Sequence, residues 1–396
     1  MQILMVHGNV ARVDGGRLRV DRKFHLGMSA YVKALGVPLV SVHPLAARDE
    51  AIMDAIVIDV AELGYGVATV AADAHGRISV ADSEHLDGLI AASALVYGGG
   101  FGSETLARLH GVPYIQVLEF DLGTEITVTT SQVRNPLRKA VRALRTLHAH
   151  VRGLRDKRLA NALHCNGYPV FDEAARVNAH RLLYLDSRMT AALVISETTL
   201  RERLARRGQR PLRLLYSGRY EALKGADDAV RVALLALVQG LNVEMHCYGQ
   251  GSLAEPMRAL AAQSQGRVQV HDAVPYPELV EISSGFDVFV CCHRQGDPSC
   301  TYLEAFGAGL PVVGYANAMW RRLQQESGVG NSSPMGDIGA VVRSLKTLAA
   351  DPPVLATHSM RARAFALEHT FEREFALRTD ALRTALGLPN ATTPLA

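Results

Sequence analysis

Short apolar runs rich in β-branched residues alternate with longer stretches of helical periodicity along the whole chain. In the first half, Ile3 to Val6, Pro38 to Val42, Ala91 to Tyr97, Pro113 to Leu118 and Ala191 to Ser196 read as strands. In the second half, Leu212 to Tyr216, Val243 to Tyr248, Val268 to His271, Val288 to Cys292 and Pro311 to Gly314 do so. That alternation predicts an α/β chain of parallel sheets flanked by helices, in two Rossmann-like units. Between the units, Thr199 to Arg210 is charged and ends in Arg206-Arg207-Gly208-Gln209-Arg210-Pro211, which reads as a helix end, a turn and a fresh strand. The boundary is placed there, giving domains 1–205 and 206–360. Helical patterns follow from Ile338 to Ala350 and from His358 to Leu386, with a break at Pro353 and a frayed end from Gly387.

Length and composition agree with two cores. At 396 residues and 48% apolar content the chain exceeds what one core usually holds. No stretch of about 18 uncharged apolar residues occurs, and Met1 to Gly8 reads as a first core strand, so a cytoplasmic location is expected. Five cysteines without paired spacing suggest neither a disulfide framework nor a zinc site. The formal charge of +3 is too slight to imply a nucleic-acid partner. Its distribution says more, because residues 134–158 hold nine Lys or Arg against the single acid Asp156. Leu137, Val141, Leu144, Leu147, Val151 and Leu154 recur there at helical spacing. Such a helix is either a solvated face over a packed stripe or a surface for anionic lipid headgroups or an anionic acceptor.

Two segments carry chemistry. Tyr216-Ser217-Gly218-Arg219-Tyr220-Glu221-Ala222-Leu223-Lys224-Gly225 follows an apolar run, so Arg219 and Lys224 emerge where a strand ends and a helix begins, a cradle for a diphosphate. Gly218 and Gly225 allow close backbone approach. After the run Val288 to Cys292, Asp297-Pro298-Ser299-Cys300-Thr301-Tyr302-Leu303-Glu304 places the Glu304 carboxylate in the first turns of another helix, able to accept from two ribose hydroxyls. Paired strand-end sites in an open sheet are where ligands bind.

Leu212 to Gly314 resembles the nucleotide-binding domain of retaining GT-B glycosyltransferases, in particular glycosyltransferase family 4, the glycosyl transferases group 1. The resemblance implies two Rossmann-like domains facing across a cleft, with a C-terminal helix, here 361–396, packing back on the first. It implies donor-diphosphate binding by Arg219 and Lys224, and ribose binding by Glu304. The family's E-x7-E motif has a first acid near the donor sugar; here Gly296 stands at that spacing and Asp297 is the nearest acid, giving D-x6-E. The amides of Ser299, Cys300 and Thr301 are expected to face that sugar. Gly249 and Gly251 match a glycine pair under the nucleotide, and Gly15-Gly16 match a turn approached by donor phosphate. On the acceptor side stand Glu119, Asp121 and Glu104, the last closing a glycine cluster Gly98 to Gly102. The implied reaction is retaining transfer of a hexose-type sugar from a UDP- or GDP-linked donor to an acceptor hydroxyl of a sugar, lipid or small molecule, without cofactor or metal. Such transfers build cell-surface glycans, glycolipids and glycosylated metabolites. Alternatives on the same scaffold are an epimerase, a phosphorylase, or a nucleotide-sugar-binding protein without turnover.

Overall fold

The computed structural model describes residues 1–48, 50, 52, 54–73, 78–296, 298 and 300–389. Its strands are β1 (Ile3–Val6), β2 (Arg12–Asp14), β3 (Arg17–Asp21), β4 (Leu39–Pro44), β5 (Ala55–Asp59), β6 (Gly66–Val70), β7 (Leu95–Gly98), β8 (Tyr114–Leu118), β9 (Ala162–Asn166) and β10 (Arg181–Tyr184), followed in the second half by β11 (Leu212–Ser217), β12 (Val243–Tyr248), β13 (Val268–His271), β14 (Val288–Cys291), β15 (Val312–Tyr315) and β16 (Asn331–Ser333). The first sheet runs β10-β9-β8-β7-β1-β4-β6 and the second β13-β12-β11-β14-β15-β16, every pairing parallel. Both sheets are covered on two faces, which is why their strands read as apolar runs. One face of the first sheet buries Leu4, Val6 and Val96, the other Ile3, Met5 and Leu95.

Chain order reverses in the first sheet between β1 and β7 and in the second between β11 and β14. Those switch points open crevices at the carboxyl ends of the strands. The two-unit α/β architecture anticipated from the sequence is present.

Several local expectations are corrected. Ala191 to Ser196 is a linker containing a short 3-10 turn, Ala191–Leu193, and its Ile195 amide donates to the Gly307 carbonyl rather than to a sheet. The C-terminal pattern splits into helices Pro352–Glu368 and Phe371–Ala385, with the prolines in the first turn, where a missing amide costs nothing. The last helix returns to the first sheet: Phe375 and Leu382 pack with Ile3, Met5 and Tyr31, and Arg383 donates to the Ala34 carbonyl at 3.0 Å. Gly15-Gly16 do not follow β1. Both have positive φ, +54° and +77°, and make the two-residue turn of a β2-β3 hairpin within a small antiparallel sheet, β2-β3-β5. The turn geometry accounts for both glycines without a phosphate.

Helix Pro136–Leu159 reverses the usual amphipathic arrangement. Its packed side is polar: His150 lies 3.4 Å from both Glu125 and Glu173, Thr146 bonds Thr129, and Lys157 is buried. The apolar stripe faces outward, with Leu137 78%, Leu144 65% and Val151 54% exposed. No helix among the described residues is long and apolar enough to cross a membrane.

Candidate functional site

The crevice between β11 and β14 receives the two predicted segments. After β11 the chain turns at Gly218, whose amide donates to the Tyr248 carbonyl, while the Tyr220 amide donates to the Gln250 carbonyl. The Tyr216 hydroxyl holds the Arg219 carbonyl at 3.0 Å. These bonds fix the backbone and leave the Arg219 side chain exposed at the crevice, with no hydrogen bond or ion pair of its guanidinium among the described residues. Lys224 ends the 3-10 turn Ala222–Lys224 and is buried, just before helix Ala226–Val238. Gly225 adopts φ +55°, and a Cβ on it would lie 1.9 Å from the Cys292 carbonyl oxygen. Only glycine lets this helix start so close to the end of β14. Gly249 and Gly251 serve the same loop: a Cβ on Gly249 would meet the Gly218 carbonyl at 1.9 Å, and one on Gly251 the Tyr220 carbonyl at 2.6 Å.

From β14 the chain reaches His293, fully buried beside the two cations. Burial first, then the charges of Lys224 and Arg219, hold its pKa well below the usual histidine value, so the ring is neutral. Neither ring nitrogen has a partner among the described residues. Helix Thr301–Gly307 follows, with Glu304 in its first turn. Glu304 does not stand alone: Arg188, from the linker after β10, donates from Nε and Nη2 to its Oε1 at 2.9 and 2.7 Å. The Arg188 guanidinium also lies 4.1 Å from the centre of the Tyr276 ring. Asp297 and Ser299, expected at the donor sugar, lie outside the described residues. Cys300 is placed in the cleft, its Sγ 3.5 Å from Asp186 and 3.7 Å from Lys23, and Thr301 opens the helix.

Across the cleft, register puts a row of polar groups on one face of the first sheet, at its carboxyl edge. His7 follows β1 and adjoins His43 on β4, and the same face continues through Tyr97, Glu119, His164, Asn166 and Asp186. Asn166 donates to Glu119 at 2.9 Å and its carbonyl accepts the Asp186 amide. Glu119 touches solvent, yet the protein around it raises its carboxyl above the ordinary value, against the Asn166 donor. Burial works to raise Asp186 too, but Lys23, 2.6 Å away, outweighs it and holds that carboxyl low. Burial pushes His7 down to about 3 and His43 to about 4, so both are neutral in the folded protein.

Two acceptor-side expectations change. Asp121 caps helix Leu122–Thr130, accepting from the Gly123 amide and the Thr124 hydroxyl. Glu104 accepts the Gly100 amide and braces its own glycine loop. Both carboxylates bond their own loop or helix start, whereas Glu119 bonds Asn166 on the polar row.

Residues 211–351 match the family described as Glycosyl transferases group 1. This segment, about a third of the chain, matches as a glycosyl transferases group 1 domain. The whole chain superposes on solved GT-B structures at low identity. Anabaena Alr3699/HepE, solved with UDP, has 14% identity and a TM-score of 0.63, covering 98% of this chain and 100% of its own. WaaG, a glycosyltransferase involved in lipopolysaccharide biosynthesis, gives 14% and 0.63 over 96% and 99%. The sucrose-phosphate synthase of Thermosynechococcus elongatus gives 16% and 0.63 over 98% and 99%. No curated protein matches the chain. Four residues of the cleft carry no clear sequence signal: Arg188, Tyr276, His293 and His7. Arg188 sits in a run without strand or helix periodicity, and nothing local pairs it with an acid 116 positions away. The histidines carry a weak signal only: His7 and His293 each stand just beyond the last residue of a core strand.

Proposed function

We propose that this glycosyltransferase moves a hexose-type sugar, with retention, from a nucleoside diphosphate donor to an acceptor hydroxyl. The observation that carries the reading is the convergence of Arg219, Lys224 and Glu304 at the β11/β14 switch point. Arg219 and Lys224 meet the negative charge that grows on the departing diphosphate, so no divalent cation is required for that charge. Glu304 takes the donor ribose, and Glu119, on the opposite wall, orients the acceptor. Support for a uridine nucleotide comes from Alr3699/HepE, which was solved with UDP and with UDP-glucose.

A thermal-shift panel of UDP, GDP, ADP and their common sugars, with and without EDTA, tests this on wild type and Arg219→Ala. One nucleotide family should stabilise the wild type, indifferent to EDTA, and lose its effect in the variant. No shift with any nucleotide would end the donor reading.

The outward stripe of helix Pro136–Leu159 supports a second part of the reading, a docking face for an anionic lipid surface and hence acceptors held there. Leu137, Val141, Leu144 and Val151 supply the apolar contact, and the flanking arginines the charge. In liposome sedimentation the protein should bind vesicles with 30% anionic lipid at low salt and release at high salt. Leu137→Asp with Leu144→Asp should weaken binding by about tenfold. Failure to bind anionic vesicles at low salt would remove this face.

A further inference from the structure

The most informative contact in the cleft is one that a donor-binding site should not contain. If Glu304 receives a ribose, its carboxylate must present free lone pairs to the crevice. Instead one oxygen carries two hydrogen bonds from Arg188, and that pair is largely shielded on the carboxylate side, with Glu304 only 11% and Arg188 41% exposed. The same guanidinium sits over the Tyr276 ring, its central carbon 4.1 Å from the ring centre. A planar group stacked on an aromatic face while donating to a carboxylate reproduces what a nucleoside would do there: base on ring, sugar hydroxyls on acid. The Tyr276 hydroxyl is buried without a partner among the described residues, and with Ser217, Phe289 and Glu304 the residue lines a cavity of about 10 Å³, room for a single water, so the tyrosine is held from behind and offers its ring to the crevice.

We infer that Tyr276 is the platform for the donor base and that Arg188 is its resident stand-in, which the donor must displace to reach Glu304. This rests on the donor reading above. It also joins donor entry to the domain linker. Arg188 lies between Asp186, paired with Lys23 of the first domain, and Met189, whose side chain packs where a Cβ on Gly307 would fall 2.5 Å from it. Leu185 donates from its amide to Glu374 of the last helix, and the Met189 carbonyl accepts the Phe371 amide. Arg188 therefore sits in a segment that both domains hold in place.

The test is calorimetric titration with UDP, GDP and ADP of wild type, Arg188→Ala, Arg188→Lys and Tyr276→Ala. Removing a competitor should tighten the preferred nucleotide by about fivefold in Arg188→Ala, as if Arg188 closed the site in about four molecules of five. Arg188→Lys should fall between, since an ammonium keeps the ion pair and loses the planar stack. Tyr276→Ala should weaken the same nucleotide by about tenfold when made in the Arg188→Ala background, and by less where Arg188 is present, since the ring that supports the competitor goes too. An unchanged or weaker affinity in Arg188→Ala overturns the stand-in, and an unchanged affinity when Tyr276→Ala is added to that variant overturns the platform. Nucleotide binding that Arg219→Ala abolishes but Arg188→Ala leaves alone sinks this inference and keeps the donor reading. Absence of binding in every protein, Arg188→Ala included, removes both.

Discussion

Alanine at Arg219 or at Lys224 is expected to lower kcat/KM by about a hundred- to a thousandfold, the scale reached when one preorganised group facing transition-state charge is deleted. The two variants should differ in how they do it. Arg219 is exposed on a loop whose backbone is held by Tyr216, Tyr248 and Gln250, so truncating its side chain leaves the loop in place and the melting temperature unchanged. Lys224 is buried, and its removal also takes out packing at the start of helix Ala226–Val238, so a loss of stability accompanies the loss of turnover. Steady-state kinetics with the donor identified by thermal shift, read beside melting curves, separates the two. Full turnover in Arg219→Ala would show that the diphosphate charge is met elsewhere. Because the effect belongs to the departing group, it should appear in donor hydrolysis without acceptor as strongly as in transfer.

The second domain was far more legible than the first. Val243–Tyr248 and Val268–His271 are observed with the bounds read from the sequence, because apolar residues at every second position, Val243, Met245 and Cys247 in one and Val268 and Val270 in the other, leave a clear strand period. In the first domain β9, Ala-Leu-His-Cys-Asn, and β10, Arg-Leu-Leu-Tyr, went unseen. Their polar positions have partners elsewhere in the fold, His164 against Tyr97 and Asn166 on Glu119 and the Asp186 amide, and those side chains erase the strand pattern. Ala191 to Ser196 fails for the opposite reason. It is apolar enough for a strand, but only Ile195 is buried, and its amide bonds the Gly307 carbonyl at the end of helix Thr301–Gly307, a contact no local pattern encodes. The site shows the same division. Arg219, Lys224 and Glu304 follow recognisable strand ends, whereas the Arg188 contact exists only once the linker crosses the second domain.

At the crevice a large structural effect is expected from a single methyl group at Gly225. Alanine there must adopt a left-handed φ of +55° and place its Cβ 1.9 Å from the Cys292 carbonyl oxygen, 2.7 Å from its carbonyl carbon and 2.9 Å from its Cβ. The first term alone costs about 1 to 2 kcal/mol. The second cannot be relieved by a rotamer change, because the obstacle is the backbone at the end of β14, so the strand or the helix must move. Gly225→Ala should therefore destabilise the second domain by more than about 4 kcal/mol, measured by urea unfolding, and yield little folded protein. Gly240→Ala is the matched control: φ is +77°, and a Cβ there meets nothing within 4 Å, so only the conformational term remains. A comparable loss in both variants would mean that backbone strain, not the close approach of helix and strand, is what glycine relieves. A large loss at Gly225 alone would tie the catalytic crevice to the fold itself, since the contact that excludes a side chain is the one that brings Lys224 to the end of β14.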